Sequence, residues 1–251
     1  MRQAARMHVS VIIPTRNEVE TVADVIAHCR DAGAGQMLVV DSRSSDGTVA
    51  AAEAAGAHVL DADALFAELG PAVGKGDALW RALPHTDGEV VAFLDGDVTV
   101  FDDLLPQLVE PLTDPSIRFS KGNISRLDAN GHRVFGRVSQ FTAAPLLRAF
   151  FPELADLDEP LSGQIAARRD DLMRLAFEPD YGLEIGMLVD VFRTHGRNAI
   201  AHPECGRILN PQQSDADLAG MADQVARALL TRYGLEVAST VAPRPPHAPA
   251  D

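Results

Sequence analysis

The chain has 251 residues, 46% of them apolar, and a formal net charge of −14. That length buries one large core rather than two, and so acidic a balance excludes nucleic acid or an anionic membrane as the main partner, because both demand a basic face. Cys29 and Cys205 lack metal or redox spacing, no stretch reaches the apolar length of a membrane span, and the first eight residues carry arginines without an apolar run, so the expectation is a soluble, cytoplasmic protein with reduced thiols.

In chain order, residues 9–14 read as a first strand, 18–32 as an amphipathic helix and 37–41 as a second strand, followed by a helix opening near Asp46 and a short strand at 58–60. A helix over 74–83 and a strand over 89–94 follow, the latter running into Asp95-Gly96-Asp97. This rhythm of short apolar runs and helices predicts an α/β fold with a mostly parallel sheet. Beyond it the pattern gives a strand at 117–124, a helix from about 137 to 150, a turn at 160–163, a helix over 183–195, a short strand at 199–202 and an amphipathic helix over 215–233. Residues 1–7 and the Pro-rich stretch 236–251 are expected to be flexible and disordered. Residues 8–235 then form a single domain, with 8–125 as its donor half and 126–235 as its acceptor half with C-terminal helices.

Ligands of open parallel sheets sit beyond the carboxyl ends of the strands, where the polar clusters after strands one, two and four all fall. The first is Pro14-Thr15-Arg16-Asn17-Glu18, in which Glu18 also suits the helix dipole. Asp41-Ser42-Arg43-Ser44-Ser45-Asp46-Gly47-Thr48 can hold a ribose or uracil edge and equally caps a helix. Gly74-Lys75-Gly76 puts a cation at a helix start, suited to a diphosphate or to the surface. The carboxylates of Asp95 and Asp97 suit a hard cation such as Mg²⁺ or Mn²⁺ shared with phosphates, or a solvated acidic turn. Gly96 between them would let a ligand approach the backbone. Gly136-Arg137-Val138-Ser139 offers free N–H groups, a guanidinium and a hydroxyl to a small anion, or is only a helix start. In Tyr181-Gly182-Leu183-Glu184-Ile185-Gly186 a carboxylate opens an apolar helix, as a functional group or as a dipole partner.

These segments, together with Pro160-Leu161-Ser162-Gly163-Gln164, occur in an order that resembles the glucosyl-3-phosphoglycerate synthases, retaining glycosyltransferases with the A-type nucleotide-binding fold. The resemblance spans roughly residues 9–233 and implies transfer of glucose from UDP-glucose to 3-phosphoglycerate, with Mg²⁺ or Mn²⁺ bridging Asp97 and the donor diphosphate. It implies that Pro14, Thr15, Glu18, Asp41, Ser42, Lys75, Asp95, Gly96, Asp97 and Tyr181 hold the donor. It further implies that Glu184 faces the reacting sugar and acts with Asp95 and Lys75. By the same resemblance Gly136, Arg137 and Ser139 would bind the small anionic acceptor, beside a turn at Gly163 that would shape the sugar pocket. A homodimer is also implied.

Two stretches depart from the family pattern. Asn210 stands where the family has a metal-ligand histidine, making an amide oxygen the expected second ligand; His202, eight residues earlier, reads as an ordinary histidine. Lys121-Gly122-Asn123-Ile124-Ser125-Arg126 replaces a lysine, an aromatic and paired arginines, which reshapes the acceptor side and leaves a different small acceptor open. A sugar-phosphate nucleotidyltransferase would share the fold but calls for a Gly-rich loop after strand one, which this chain lacks. A weakened nucleotide-sugar binder is the remaining alternative, and Asp95, Asp97, Lys75 and Glu184 speak against it.

Overall fold

A computed structural model describes residues 7–99, 102–127, 130, 132–209, 214–238 and 241–249. The elements run β1 (Val9–Thr15), α1 (Val22–Asp31), β2 (Gln36–Asp41), α2 (Thr48–Ala54), β3 (His58–Asp61), α3 (Lys75–Ala82), β4 (Val90–Phe93) and α4 (Leu104–Val109). They continue as β5 (Phe119–Lys121), β6 (Asn123–Leu127), β7 (Arg133–Val134), α5 (Ala144–Phe150), β8 (Ile165–Arg168), α6 (Arg169–Leu172), α7 (Leu183–His195), β9 (Ile200–Ala201), β10 (Glu204–Leu209) and α8 (Asp215–Tyr233).

Seven strands form the main sheet in the order β3-β2-β1-β4-β8-β5-β9. All neighbours pair parallel except β8, which runs against both β4 and β5. Strands buried on both faces read as unbroken apolar runs, and alternate side chains go to opposite layers. Ile12, Leu38, Val40, Val91 and Phe93 pack towards α3, α7 and α8, whereas Val11, Ile13, Val39, Val90 and Ala92 pack towards α1, α2 and α4. The expected donor and acceptor halves are interleaved, because β8 and β9 complete the sheet begun by the first half. A second sheet, β10-β6-β7, stands beside the carboxyl edge of the first.

Several expectations need correction. Helix α1 opens at Val22, not at residue 18, because Asn17, Glu18 and Val19 give their N–H groups to Ser44, Thr48 and Asp46 of the neighbouring loop. The strand expected at 117–124 is two strands in two sheets. At the break Gly122 donates to Gln164 O, Asn123 donates to Pro203 O, and a Cβ on Gly122 would stand 3.2 Å from Cys205 Sγ, so the chain swings from one sheet to the other at its one side-chain-free residue. The helix expected at 137–150 is continuous over that range but carries a π turn at Ser139–Ala143 before α5. Helix α8 matches its expected range, capped by Ser214 accepting from Asp217 N at 3.2 Å and ended by Gly234 at φ +99°.

The stretch expected to be disordered is placed from 241 to 249 and docks on α3. Arg244 pairs with the buried Asp77, Trp80 Nε1 donates to Pro245 O at 2.7 Å, and His247 stacks on Trp80 at 4.3 Å between centroids. Composition finds no core within this segment, but its polar and ring groups find one in the domain. Among the described residues no helix is long and apolar enough to cross a membrane.

Candidate active site

The loops after β1 and β2 are stitched together before any ligand is considered. Asn17 and Arg43 take left-handed backbone at φ 62° and 64°, a conformation in which Asn is one of the few comfortable residues. Asn17 Oδ1 accepts from Ser45 N at 2.9 Å, and Gly47 at φ +101° turns the chain into α2. Asp41 ends β2, accepting from Thr15 Oγ1 at 3.1 Å and from Ser44 N at 2.9 Å, while Ser42 N donates to Thr15 O at 2.9 Å. Thr15, Asp41 and Ser42 are thus brought together as the sequence implies.

Gly96 serves a close approach, but of protein to protein. A Cβ there would lie 3.0 Å from Pro14 O and from a Thr15 methyl, so glycine lets the turn after β4 nest on the end of β1, and Thr21 Oγ1 locks it by donating to Gly96 O at 2.6 Å. This presents Asp95 and Asp97 beside Glu18.

At the centre, Lys75 Nζ donates to Asp95 Oδ1 at 2.6 Å and to Glu184 Oε1 at 2.7 Å, an ion triad drawn from α3, the turn after β4 and the first turn of α7. The surface reading of Lys75 is thereby excluded: only 18% of its side chain is exposed. Two glycines seat it. A Cβ on Gly74 would stand 2.6 Å from Pro179 O, and one on Gly76 would collide with Glu178 O, so the start of α3 lies directly on the segment leading to α7. Gly163 likewise leaves room for the triad, since a Cβ there would strike Asp95 Oδ2 and come within 2.7 Å of Lys75 Nζ. That position puts the turn beside the Lys75 triad, while Ser162 N donates to Glu159 O at 3.0 Å and so joins the same turn to the neighbour of Ser139.

Burial opposes charge throughout the crevice, and the partners decide which groups keep it. Burial and the carboxylate of Asp95 push Asp97 up to about 6. Burial and the carboxylates of Asp97, Asp46 and Asp95 push Glu18 up to about 7. Asp95, half-buried, is held below the usual carboxylate range by the Lys75 ammonium against the cost of desolvation, and Lys75 is driven up by Asp95 and Glu184 against its own burial. Two crowded carboxylates that resist ionisation beside a neutralised third are the electrostatic complement of a divalent cation. Among the described residues no three His, Cys, Asp or Glu side chains stand close enough to hold an ion between them. The donor set therefore fits a cation that takes one or two protein carboxylates and completes its shell with phosphate oxygens. Asn210 lies outside the described residues. His202 has its Nδ1 2.8 Å from Lys121 O but its Nε2 buried without a hydrogen-bond partner among the described residues, so it is only half satisfied.

Sequence reasoning passed over four residues. Gln164, opening into β8, clasps Asp95 with Nε2 to Oδ2 at 2.9 Å and accepts from Asp95 N at 3.3 Å. Lys121 is fully buried at the end of β5, donates to Ser162 O at 2.7 Å, and is lowered to about 7 by burial. Both lie in quoted motifs; what hid them was the unrecognised antiparallel β8. Arg126 and Glu159 lie beside Gly136 and Ser139. Glu159, buried, lies 3.6 Å from Arg126 Nε and accepts from Ser139 Oγ at 3.4 Å, and a Cβ on Gly136 would meet both Ser139 and Arg126. Arg137 points to Asp215 at the start of α8, at 2.5 Å. Gly136 and Ser139 thus stand together, and Arg126 and Arg137 each face a carboxylate. Tyr181 sits at the rim, 41% exposed, its phenol pushed upward by burial.

Residues 10–146 match the model of glycosyl transferase family 2. The chain is 38% identical over 239 residues to the glucosyl-3-phosphoglycerate synthase of Mycolicibacterium smegmatis, covering 90% of this chain and 78% of that protein. The crystal structure of the Mycobacterium tuberculosis glucosyl-3-phosphoglycerate synthase with uridine diphosphate superposes with a TM-score of 0.87 at 34% identity, over 96% of this chain and 91% of that one. The same enzyme with Mn²⁺, UDP-glucose and phosphoglyceric acid superposes at 0.86 with 34% identity, over 96% and 90%. The chain belongs to glycosyl transferase family 2 and, within it, to the glucosyl-3-phosphoglycerate synthases.

Proposed function

We propose that this chain is a glucosyltransferase that moves glucose from UDP-glucose to 3-phosphoglycerate with retention, using Mn²⁺ or Mg²⁺. The observation that carries the reading is the Lys75–Asp95–Glu184 triad beside Asp97 at the carboxyl edge of the sheet. Asp41, Thr15, Ser42 and Pro14 line the uridine side, with Glu18 and Gly96 shaping the turn that presents Asp97. Asp97, the donor diphosphate and the amide oxygen of Asn210 would hold the cation, which would supply charge stabilisation to the leaving group. Lys75 contributes the same kind of preorganised positive charge from its fixed position between two carboxylates. Glu184, oriented by Lys75, faces the sugar, Gly163 leaves it room, and Tyr181 closes the rim. The acceptor anion meets Arg137, Ser139 and the N–H groups near Gly136. Asp215 is an exposed carboxylate that can yield Arg137 to it. A cytoplasmic homodimer completes the reading, checked by the mass of the purified chain in solution.

The testing measurement is thermal. UDP-glucose with Mn²⁺ raises the melting temperature by several degrees, as a ligand at about 100 times its Kd adds about 2.7 kcal/mol. No shift with any nucleotide sugar, with or without metal, sinks the donor assignment.

One observation favours a second acceptor class. Glu159 is a buried carboxylate 3.6 Å from Arg126, so part of the acceptor side's positive charge is neutralised from within. Such a site discriminates against a dianionic phosphate relative to a singly charged hydroxy acid. Glu159→Gln is expected to raise kcat/KM for 3-phosphoglycerate about tenfold, the scale of one charge contact of about 1.4 kcal/mol, while changing that for glycerate less than threefold. Equal changes for both acceptors would show that Glu159 does not read acceptor charge.

A further inference from the structure

Residues 243–248 lie across the two segments that meet at Lys75 and Glu184. Arg244 donates Nε and Nη2 to the two carboxylate oxygens of Asp77 at 2.7 and 2.9 Å. Asp77 is wholly buried two residues beyond Lys75 in α3, and it also accepts from Val73 N at 3.0 Å, just before the Gly74-Lys75-Gly76 turn. With its main chain the same Arg244 pairs with Phe177, N to O at 2.8 Å and O from N at 3.0 Å. Phe177 begins the stretch whose next two carbonyls receive Gly76 and Gly74 and which leads into α7 at Glu184. The neighbours hold the peptide in place: Pro245 O accepts from Trp80 Nε1 at 2.7 Å, His247 Nε2 lies 2.8 Å from Trp80 O, and Ala248 N donates to Met173 O at 2.8 Å.

Charge balance alone does not call for this arrangement. Asp77 already has a cation in the fully buried Arg81, whose Nε lies 3.2 Å from Asp77 Oδ1 and whose other N–H groups go to the carbonyls of Ala62, Leu65 and Gly70. Arg81 therefore ties α3 to the loop after β3. Asp77 N donates to Pro179 O at 3.0 Å, a single main-chain bond between α3 and the 177–183 stretch; Arg244 is the side chain that adds a second tie between them, and a bidentate guanidinium fork fixes orientation as well as distance.

We propose that Arg244 is a positioning residue for glucosyl transfer: bridging Asp77 and Phe177, it sets the spacing between the starts of α3 and α7 and so holds the Lys75 ammonium on Glu184 and Asp95. The inference rests on the proposed placement of Lys75 and Glu184 at the reacting sugar. Reactions that depend on fixed geometry lose about 100-fold for a displacement near 1 Å. The uridine and metal side, built from β1, β2 and the turn after β4, is untouched by the strap.

The experiment compares Arg244→Gln, Arg244→Lys and His247→Ala in the full chain, measuring kcat with 3-phosphoglycerate, UDP-glucose binding with Mn²⁺, and backbone amide exchange. Arg244→Gln is expected to lower kcat at least about tenfold while the donor Kd stays within about threefold, with faster exchange over residues 177–182. Arg244→Lys, keeping the charge but losing the fork, falls between. His247→Ala, which only loosens the peptide, lowers kcat a few-fold and guards against an Arg244→Gln chain that does not fold. A brace that serves stability alone would lower the melting temperature and leave kcat per donor-binding site unchanged in these variants, and that result overturns the proposal. Transfer by the wild-type chain with unchanged variants defeats this inference alone; donor binding without transfer to any acceptor in the wild type defeats the functional reading beneath it.

Discussion

Replacing Asp97 by asparagine abolishes glucosyl transfer and, in chelator at pH 7, makes the protein more stable. The two effects have one origin. Asp97 is raised from 3.8 to about 6 by burial and by Asp95, so at pH 7 it is ionised where ionisation is disfavoured. A shift of that size corresponds to about 3 kcal/mol, or about 2 kcal/mol once partial exposure to solvent is allowed for. For a chain this long that is a rise of about 4 to 8 °C in melting temperature for Asp97→Asn. The pH dependence follows from the same shift. Between about pH 4 and pH 6 the folded wild type binds more protons at this site than the unfolded chain, so its stability falls as pH rises through that window and the penalty is complete above it. The variants therefore diverge between pH 4 and 6 and coincide below it.

Metal reverses the order. With Mn²⁺ and UDP-glucose the wild type recovers the charge penalty as binding energy, and the asparagine chain gains little, because one neutral oxygen replaces the anionic ligand. Transfer is expected to drop at least about 1,000-fold, of the order seen when a preorganised charge contact is lost. Glu18, at about 7, adds a second proton to be displaced if the cation lowers its pKa as well, so metal affinity weakens as pH falls from 7 towards 6. An asparagine variant that transfers glucose at wild-type rate, or melts below the wild type in chelator, would remove Asp97 from the metal and from the strained charge cluster.

How much of this was legible in the sequence depends on the range of the interaction. Apolar runs and turn residues are local, so β1, β2, β4, α3, α7 and α8 were readable nearly to the residue. The motif order placed Lys75, Asp95 and Glu184 in one crevice, yet nothing local says that a single ammonium bridges the two carboxylates, because the residues are 20 and 109 positions apart. Strand β8 is four residues long with an arginine at its end, and its antiparallel insertion between β4 and β5 depends on partners far away in sequence. Missing it concealed Gln164 and Lys121. The docked segment around Arg244 was misread for the complementary reason: composition records what a stretch lacks for building its own core and is silent about a buried aspartate waiting elsewhere. Glu159 and Arg126 escaped because a buried ion pair has no sequence period.

The Lys75 triad is the place where stability and chemistry can be separated. Lys75→Met leaves Asp95 and Glu184 as neighbouring carboxylates without their shared cation, and breaking a buried pair from one side is worth about 3–5 kcal/mol. The melting temperature should fall by about 6 to 20 °C, and kcat by about 100- to 1,000-fold through the lost positive charge. Glu184→Gln is isosteric and leaves Lys75 paired with Asp95 at 2.6 Å, so it should melt within a few degrees of the wild type while losing comparable activity. The combination decides the matter. In Lys75→Met, adding Glu184→Gln removes one of the two stranded charges and should restore part of the lost stability, a coupling of about 1–3 kcal/mol, while transfer stays absent. Acid acts in the same direction: Asp95 is held below its ordinary value, so the stability it draws from Lys75 is present above about pH 4 and is lost as pH falls through its folded value. The Lys75→Met chain should lack that acid limb. If the double variant recovers activity along with stability, the triad is scaffolding, and the charge that assists the departing diphosphate must come from the metal and the remaining residues of the crevice.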